Sequence, residues 1–302
     1  MIIQILRVFA VICTAIIIGK IVSKVKLPSI LGWLIAGVVF GPYLAEIVTA
    51  DIMNATWYQM TIKVFECFAG VMIGREIIFK KIAKSGKQIL GITFVHSIGT
   101  FLFVSFVFAV LFALQSIPVY LAFIFGGIAL ATAPAPALSI VNEYHTRGPV
   151  TKTLIPLAAI DDVIGVIVFF SVISAVTATK GAASASVLSV IGMVCLPFVI
   201  GISVGALAAG CMRKIKNPCA GFIMLILFLC ISVAIGFMID IFVYHTFSLN
   251  YLLIGMAFSA TLANLINEEK LEEILRFYNP ILSLSLIMVI VNLGMPLDYR
   301  LI

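Results

Sequence analysis

Residues 126–170 read GGIALATAPAPALSIVNEYHTRGPVTKTLIPLAAIDDVIGVIVFF. Two interruptions of its apolar character decide how the chain is read. The first is Thr132-Ala133-Pro134-Ala135-Pro136, which puts two prolines into one apolar helix and breaks its hydrogen-bond ladder. The second is Asp161-Asp162, two adjacent acids in a stretch with no other charge from Thr153 to Thr179. Acids inside an apolar helix are costly and mark function by default. Together the two features are expected to form half of an ion site inside a membrane.

The composition around them agrees. The chain has 302 residues, 63% hydrophobic and 11% charged, against about a quarter charged in a soluble domain. Apolar runs of this length are helices, since a barrel strand would alternate over about ten residues. The fold class is all-α membrane protein, multi-pass, with the lipid bilayer as its solvent. The net charge of +6 comes from Lys and Arg in short loops, so no nucleic acid partner is implied. The six cysteines have no metal-ligand spacing and read as small core residues. No signal-peptide cleavage pattern precedes the first apolar run.

About ten transmembrane helices are predicted, near 2–22, 28–45, 57–79, 88–114, 118–141, 152–178, 185–212, 219–243, 247–266 and 277–296. The fifth is discontinuous, broken at Pro134 and Pro136. The ninth leads into a charged segment at 268–276, ahead of the tenth. Gly37/Gly41 and Gly201/Gly205 are spaced for close helix approach. If the first span ends in the cytoplasm, all but four of the nineteen Lys and Arg residues lie in or beside cytoplasmic loops. The exceptions are Arg7, Lys63, Lys180 and Arg300. This places the N-terminus outside and the loop at 142–151 inside.

Asp161 lies nine residues past Lys152, about 14 Å deep and so near the bilayer midplane. Neighbouring helical residues point about 100° apart. The two carboxylates therefore divide the work: one faces the transport cavity and the other a partner in the bundle. Apolar surroundings penalise charge on both, and each disfavours charge on the other, so they act as a coupled unit. Such a group holds a proton or a cation's counter-charge, not both, which is the core of proton-coupled antiport. The broken span adds freed carbonyls, half-helix dipoles and the Thr132 hydroxyl. No charge lies between Gln88 and Asn142, so the site is built from backbone, hydroxyls and the sixth span.

Other polar residues have simpler readings. Lys63 and Glu66, three apart on the third span, are a possible structural ion pair. His96 reads as a satisfied core histidine and His145 as a solvated loop residue. Asp240, near a membrane edge, is given no role.

Thr132-Ala133-Pro134 followed by Ala159-Ile160-Asp161-Asp162 resembles the monovalent cation:proton antiporter superfamily, in its electrogenic branch with paired aspartates. Leu31-Gly32-Trp33-Leu34-Ile35-Ala36-Gly37, Phe68-Ala69-Gly70-Val71 and Leu293-Gly294-Met295-Pro296-Leu297-Asp298 are similar as well. The resemblance runs the length of the chain and implies the sodium–proton antiporter fold, built from inverted repeats. Here it implies a single exchanger domain, 1–302, with a first repeat at about 28–178 and a second, incomplete one at about 185–302. It implies Asp162 as the principal ion and proton carrier and Asp161 as the partner of a lysine on a later helix. Thr132 matches the threonine of the helix break. No lysine lies in any predicted span after the sixth, and the family has about three more helices beyond this point. The chain is therefore expected to be a C-terminal truncation.

The function so implied is secondary antiport of a monovalent cation, Na+ first and Li+ or K+ otherwise, against protons by alternating access in the cell membrane. No cofactor is required and no metal beyond the transported cation. The complete protein is expected to be a homodimer. A K+/H+ exchanger, a potassium-efflux-type relative and a non-transporting fragment are the alternatives. Enzyme readings fail on geometry. An intramembrane aspartyl protease needs its aspartates on two helices, a prenyltransferase needs a further acid beyond Asp161-Asp162-Val163-Ile164-Gly165, and no phosphate loop or metalloprotease pattern occurs.

Overall fold

The computed structural model describes residues 2–75, 77–80, 87–130, 148–151, 187–215, 217–242 and 249–298. It also describes positions 153, 154, 157, 161, 164, 165, 168, 169 and 172. Within these residues the chain is helical and has no strand. The helices are α1 (Ile2–Lys24), α2 (Ser29–Phe40), α3 (Ala50–Asn54), α4 (Thr56–Gly74), α5 (Lys87–Leu114) and α6 (Tyr120–Ala129). After these come α7 (Val187–Met212), α8 (Pro218–Phe242), α9 (Tyr251–Leu265) and α10 (Glu268–Gly294). Every described position from 149 to 172 is also helical; this segment is called the aspartate helix below.

Among the described residues, five helices are long and apolar enough to cross a membrane: Ile2–Lys24, Gln88–Leu114, Cys195–Met212, Pro218–Phe242 and Glu268–Gly294. The helices Ser29–Phe40 and Tyr251–Leu265 are apolar but shorter. The second half of the span predicted at 118–141, with its two prolines, lies outside the described residues.

The charged segment predicted ahead of the tenth span is itself the start of α10. Asn267 caps it by accepting a hydrogen bond from Glu269 N at 3.2 Å, and Glu268 and Glu269 fill its first turn. Those acids complement the positive end of the helix dipole. Lys270 therefore belongs to a helix, but at its first turn, where it donates to the Met212 carbonyl at 2.8 Å and caps the end of α7. Arg213 does the same for α9, donating to Leu265 O at 2.8 and 3.1 Å. Basic side chains at helix C-termini satisfy carbonyls that lack intrahelical partners.

Around α9 the helices meet backbone to backbone. α4 packs along one side of it and α7 along another. Side chains built at Gly70 and Gly74 of α4 would run into the carbonyls of Leu252 and Met256, and one at Gly255 of α9 into that of Cys67. Gly201 and Gly205 of α7 meet Ile254 O and Phe258 O in the same way, while Gly37 of α2 and Gly41 just after it meet Val291 O of α10 and Met295 O just after it. Both glycine pairs expected from the sequence are thus close-approach sites. In a membrane, where lipid removes the hydrophobic drive for helices to associate, such van der Waals contact holds them together. Buried hydroxyls add to it: Tyr278 of α10 donates to Phe68 O at 2.8 Å, and Tyr58 of α4 to Asn292 Oδ1 at 3.0 Å.

The cysteines depart from their reading as core residues. Cys67 is buried, but Cys13, Cys195, Cys211, Cys219 and Cys230 lie on outward helix faces, and all six are free thiols.

The helices α1–α4 and α7–α10 are linked in one body, and α5 and α6 pack against each other. Among the described residues, neither α5 nor α6 shares an extended face with a helix of that larger body.

Candidate ion site

The site is assembled by α5, α6 and the aspartate helix. Most of α5 turns large apolar side chains outward. Its buried face carries hydroxyls instead, at Thr93, Ser97 and Ser105. Spacings of four and eight residues keep these on one side of a helix. Thr93 donates to Ile89 O at 2.9 Å, so its own hydroxyl turns back on the helix.

α6 lies against that face. Ser105 sits over Gly126, where a side chain would strike its hydroxyl. Phe108 stacks on Phe125 with centroids 4.7 Å apart, and Phe101 leans on Phe123. The aspartate helix then packs on α6 in antiparallel register: Phe169 lies 3.2 Å from the position a Gly127 side chain would take, and Leu130 lies 3.3 Å from that of Gly165. Each step along α6 toward its C-terminal end is therefore a step along the aspartate helix toward Asp161. Thr132 follows α6 by three residues in the sequence.

Asp161 is 1% exposed. The Ser97 hydroxyl of α5 donates to its Oδ1, and His96 Nε2 stands 3.7 Å from its Oδ2. His96 is not the satisfied core histidine read from the sequence, because it is 48% exposed and lies beside a buried acid. Asp162, Thr132, Pro134 and Pro136 lie outside the described residues.

Lys63 and Glu66 share α4, but Lys63 takes a different partner. Its ammonium lies 2.8 Å from Asp240 Oδ2, over the rings of Tyr251 (5.0 Å) and Phe237 (5.5 Å). Asp240 is not at a watery edge. It is 8% exposed, and it also accepts from Tyr251 Oη at 2.7 Å and Leu249 N at 2.8 Å. With these three donors the Asp240 carboxylate joins α4, α8 and the start of α9.

Sequence reading did not single out Ser97 or Tyr251, and it gave His96 and Asp240 no part in a site. Thr93 and Ser97, four apart in an apolar helix, were a readable sign of a polar face. The Lys63–Asp240 contact had no such sign, because it joins helices far apart in the chain.

The transmembrane sodium/hydrogen exchanger family model matches residues 9–302. No curated protein sequence matches the chain. The structure is similar to that of the sodium proton antiporter MjNhaP1 from Methanocaldococcus jannaschii. That match has a TM-score of 0.74 and 17% identity, covering 98% of this chain and 71% of that one. At that identity the likeness speaks for the fold.

Proposed function

The chain belongs to the sodium/hydrogen exchanger family, so it is a multi-pass cation:proton antiporter and not an enzyme, and from that premise we propose that it carries sodium against protons on Asp162. Asp161, the first of the pair, has a structural part, and Thr132 contributes a hydroxyl in the break marked by Pro134 and Pro136. The protein works in the cell membrane, as a homodimer, by alternating access between two repeats at about 28–178 and 185–302.

The observation that carries this reading is the burial of Asp161 at 1% exposure against a hydroxyl of α5. A carboxylate so enclosed is engaged within the bundle. Its neighbour, about 100° away around the helix, is then free to face a cavity.

The test is sodium-dependent proton flux in everted vesicles carrying Asp162→Asn. Loss of flux is expected, and retained flux would overturn the assignment of Asp162 as carrier.

A further inference from the structure

Asp161 is buried, and among the described residues the side chains that meet its carboxylate, Ser97 and His96, come from α5. The Ser97 hydroxyl contacts Oδ1 while lying 2.8 Å from the Thr93 carbonyl of its own helix. The hydroxyl has a single hydrogen, and of these two acceptors the carboxylate is the stronger, so the hydrogen goes to Oδ1. Ser97 is itself fully buried, so the contact is shielded from competing water. Among the described residues, α6 and the residue after it meet the aspartate helix through Gly127 and Leu130, neither of which carries a polar side chain. The other ionisable group described beside the carboxylate is His96, at 3.7 Å.

A helix has one rotational setting at a time. Holding Asp161 toward α5 therefore sets where every other side chain on that turn points, including the next residue. We infer that Ser97 is a positioning residue: by anchoring Asp161 to α5 it fixes the direction in which Asp162 meets the cation. This inference rests on the proposed role of Asp162. It departs from the lysine partner implied by resemblance, because the anchor is a neutral hydroxyl on an earlier helix. Ser97 touches no cation and transfers no proton to substrate; it acts through Asp161.

The experiment measures sodium-dependent flux in everted vesicles for Ser97→Ala and Ser97→Thr in the full protein. Half-saturating sodium and maximal rate are both normalised to folded protein in the membrane. Removing a hydrogen bond to a charged group is expected to raise half-saturating sodium about tenfold. The maximal rate should change far less, and Ser97→Thr, which keeps the hydroxyl, should restore the native value. A lower yield of Ser97→Ala protein with unchanged half-saturation would overturn the inference, leaving Ser97 a packing residue. If Ser97→Ala does not fold, Ser97→Cys takes its place. Its weak S–H donor should give a half-saturation above those of Ser and Thr, and equality would overturn the inference. Failure of the underlying reading looks different: flux retained in Asp162→Asn removes the carrier itself, whatever Ser97 does.

Discussion

Lys63 of α4 places its ammonium 2.8 Å from Oδ2 of Asp240 on α8, 177 residues further along the chain. The pair is largely buried, with the two side chains 17% and 8% exposed. It ties α4 to α8, and through Tyr251 and Leu249 to the start of α9. Such a pair is poor evidence of added stability when intact, but strong evidence of a cost when half of it is removed.

Lys63→Met and Asp240→Asn should each destabilise the detergent-solubilised protein by about 3 kcal/mol. The double variant Lys63→Met/Asp240→Leu should recover much of that loss, because it leaves no unpaired buried charge. Thermal unfolding followed by tryptophan fluorescence measures this. In the same assay Glu66→Gln should show little coupling to Lys63→Met, and coupling as strong as that of Asp240 would restore the pairing suggested by their spacing.

Asp161→Asn keeps the shape of the buried side chain and can still accept from Ser97. It should leave sodium binding less affected than Asp162→Asn does, while changing the charge moved per ion. Currents across a supported membrane, compared with isotopic sodium uptake, give that ratio. An unchanged ratio would count against a charged role for Asp161.

The glycines of α9 and α5 should respond in opposite ways. At Gly255 a methyl group would collide with the Cys67 carbonyl, so Gly255→Ala should destabilise by about 1–3 kcal/mol. At Gly91 and Gly99 of α5 nothing lies within 4 Å of an added carbon. Gly91→Ala and Gly99→Ala should be neutral, or stabilising by up to about 1 kcal/mol through helix propensity. Melting temperatures of the three variants in one detergent separate these outcomes.

Helix positions were legible because a membrane span writes itself into composition: α1, α5, α7 and α8 begin and end within a few residues of the apolar runs that predict them. The start of α10 was not legible in this way, because Glu268 to Arg276 are charged. Its signal was Asn267 followed by two acids, a cap and not a hydropathy pattern. The short helix α3 carries too few residues to show a period.

At the site, Asp161 stood out because an acid in an apolar run has no bland explanation. Its anchor did not, because a serine in a helix more often bonds back to its own turn, and Ser97 does have the Thr93 carbonyl within reach at 2.8 Å. The Asp240 partner of Lys63 was not legible for a related reason. Spacing along one helix can be read from sequence, whereas the approach of α8 to α4 exists only after folding.

The glycine contacts around α9 have a mechanical consequence. Helices separated by side chains can slide, since rotamers yield. Helices whose peptide groups touch, as at Gly70, Gly74, Gly201 and Gly255, have no such cushion, and shear between them meets atoms that cannot swing aside. The body built on α9 is therefore stiff against shear, and sliding between helices is easier at surfaces where side chains, not peptide groups, meet.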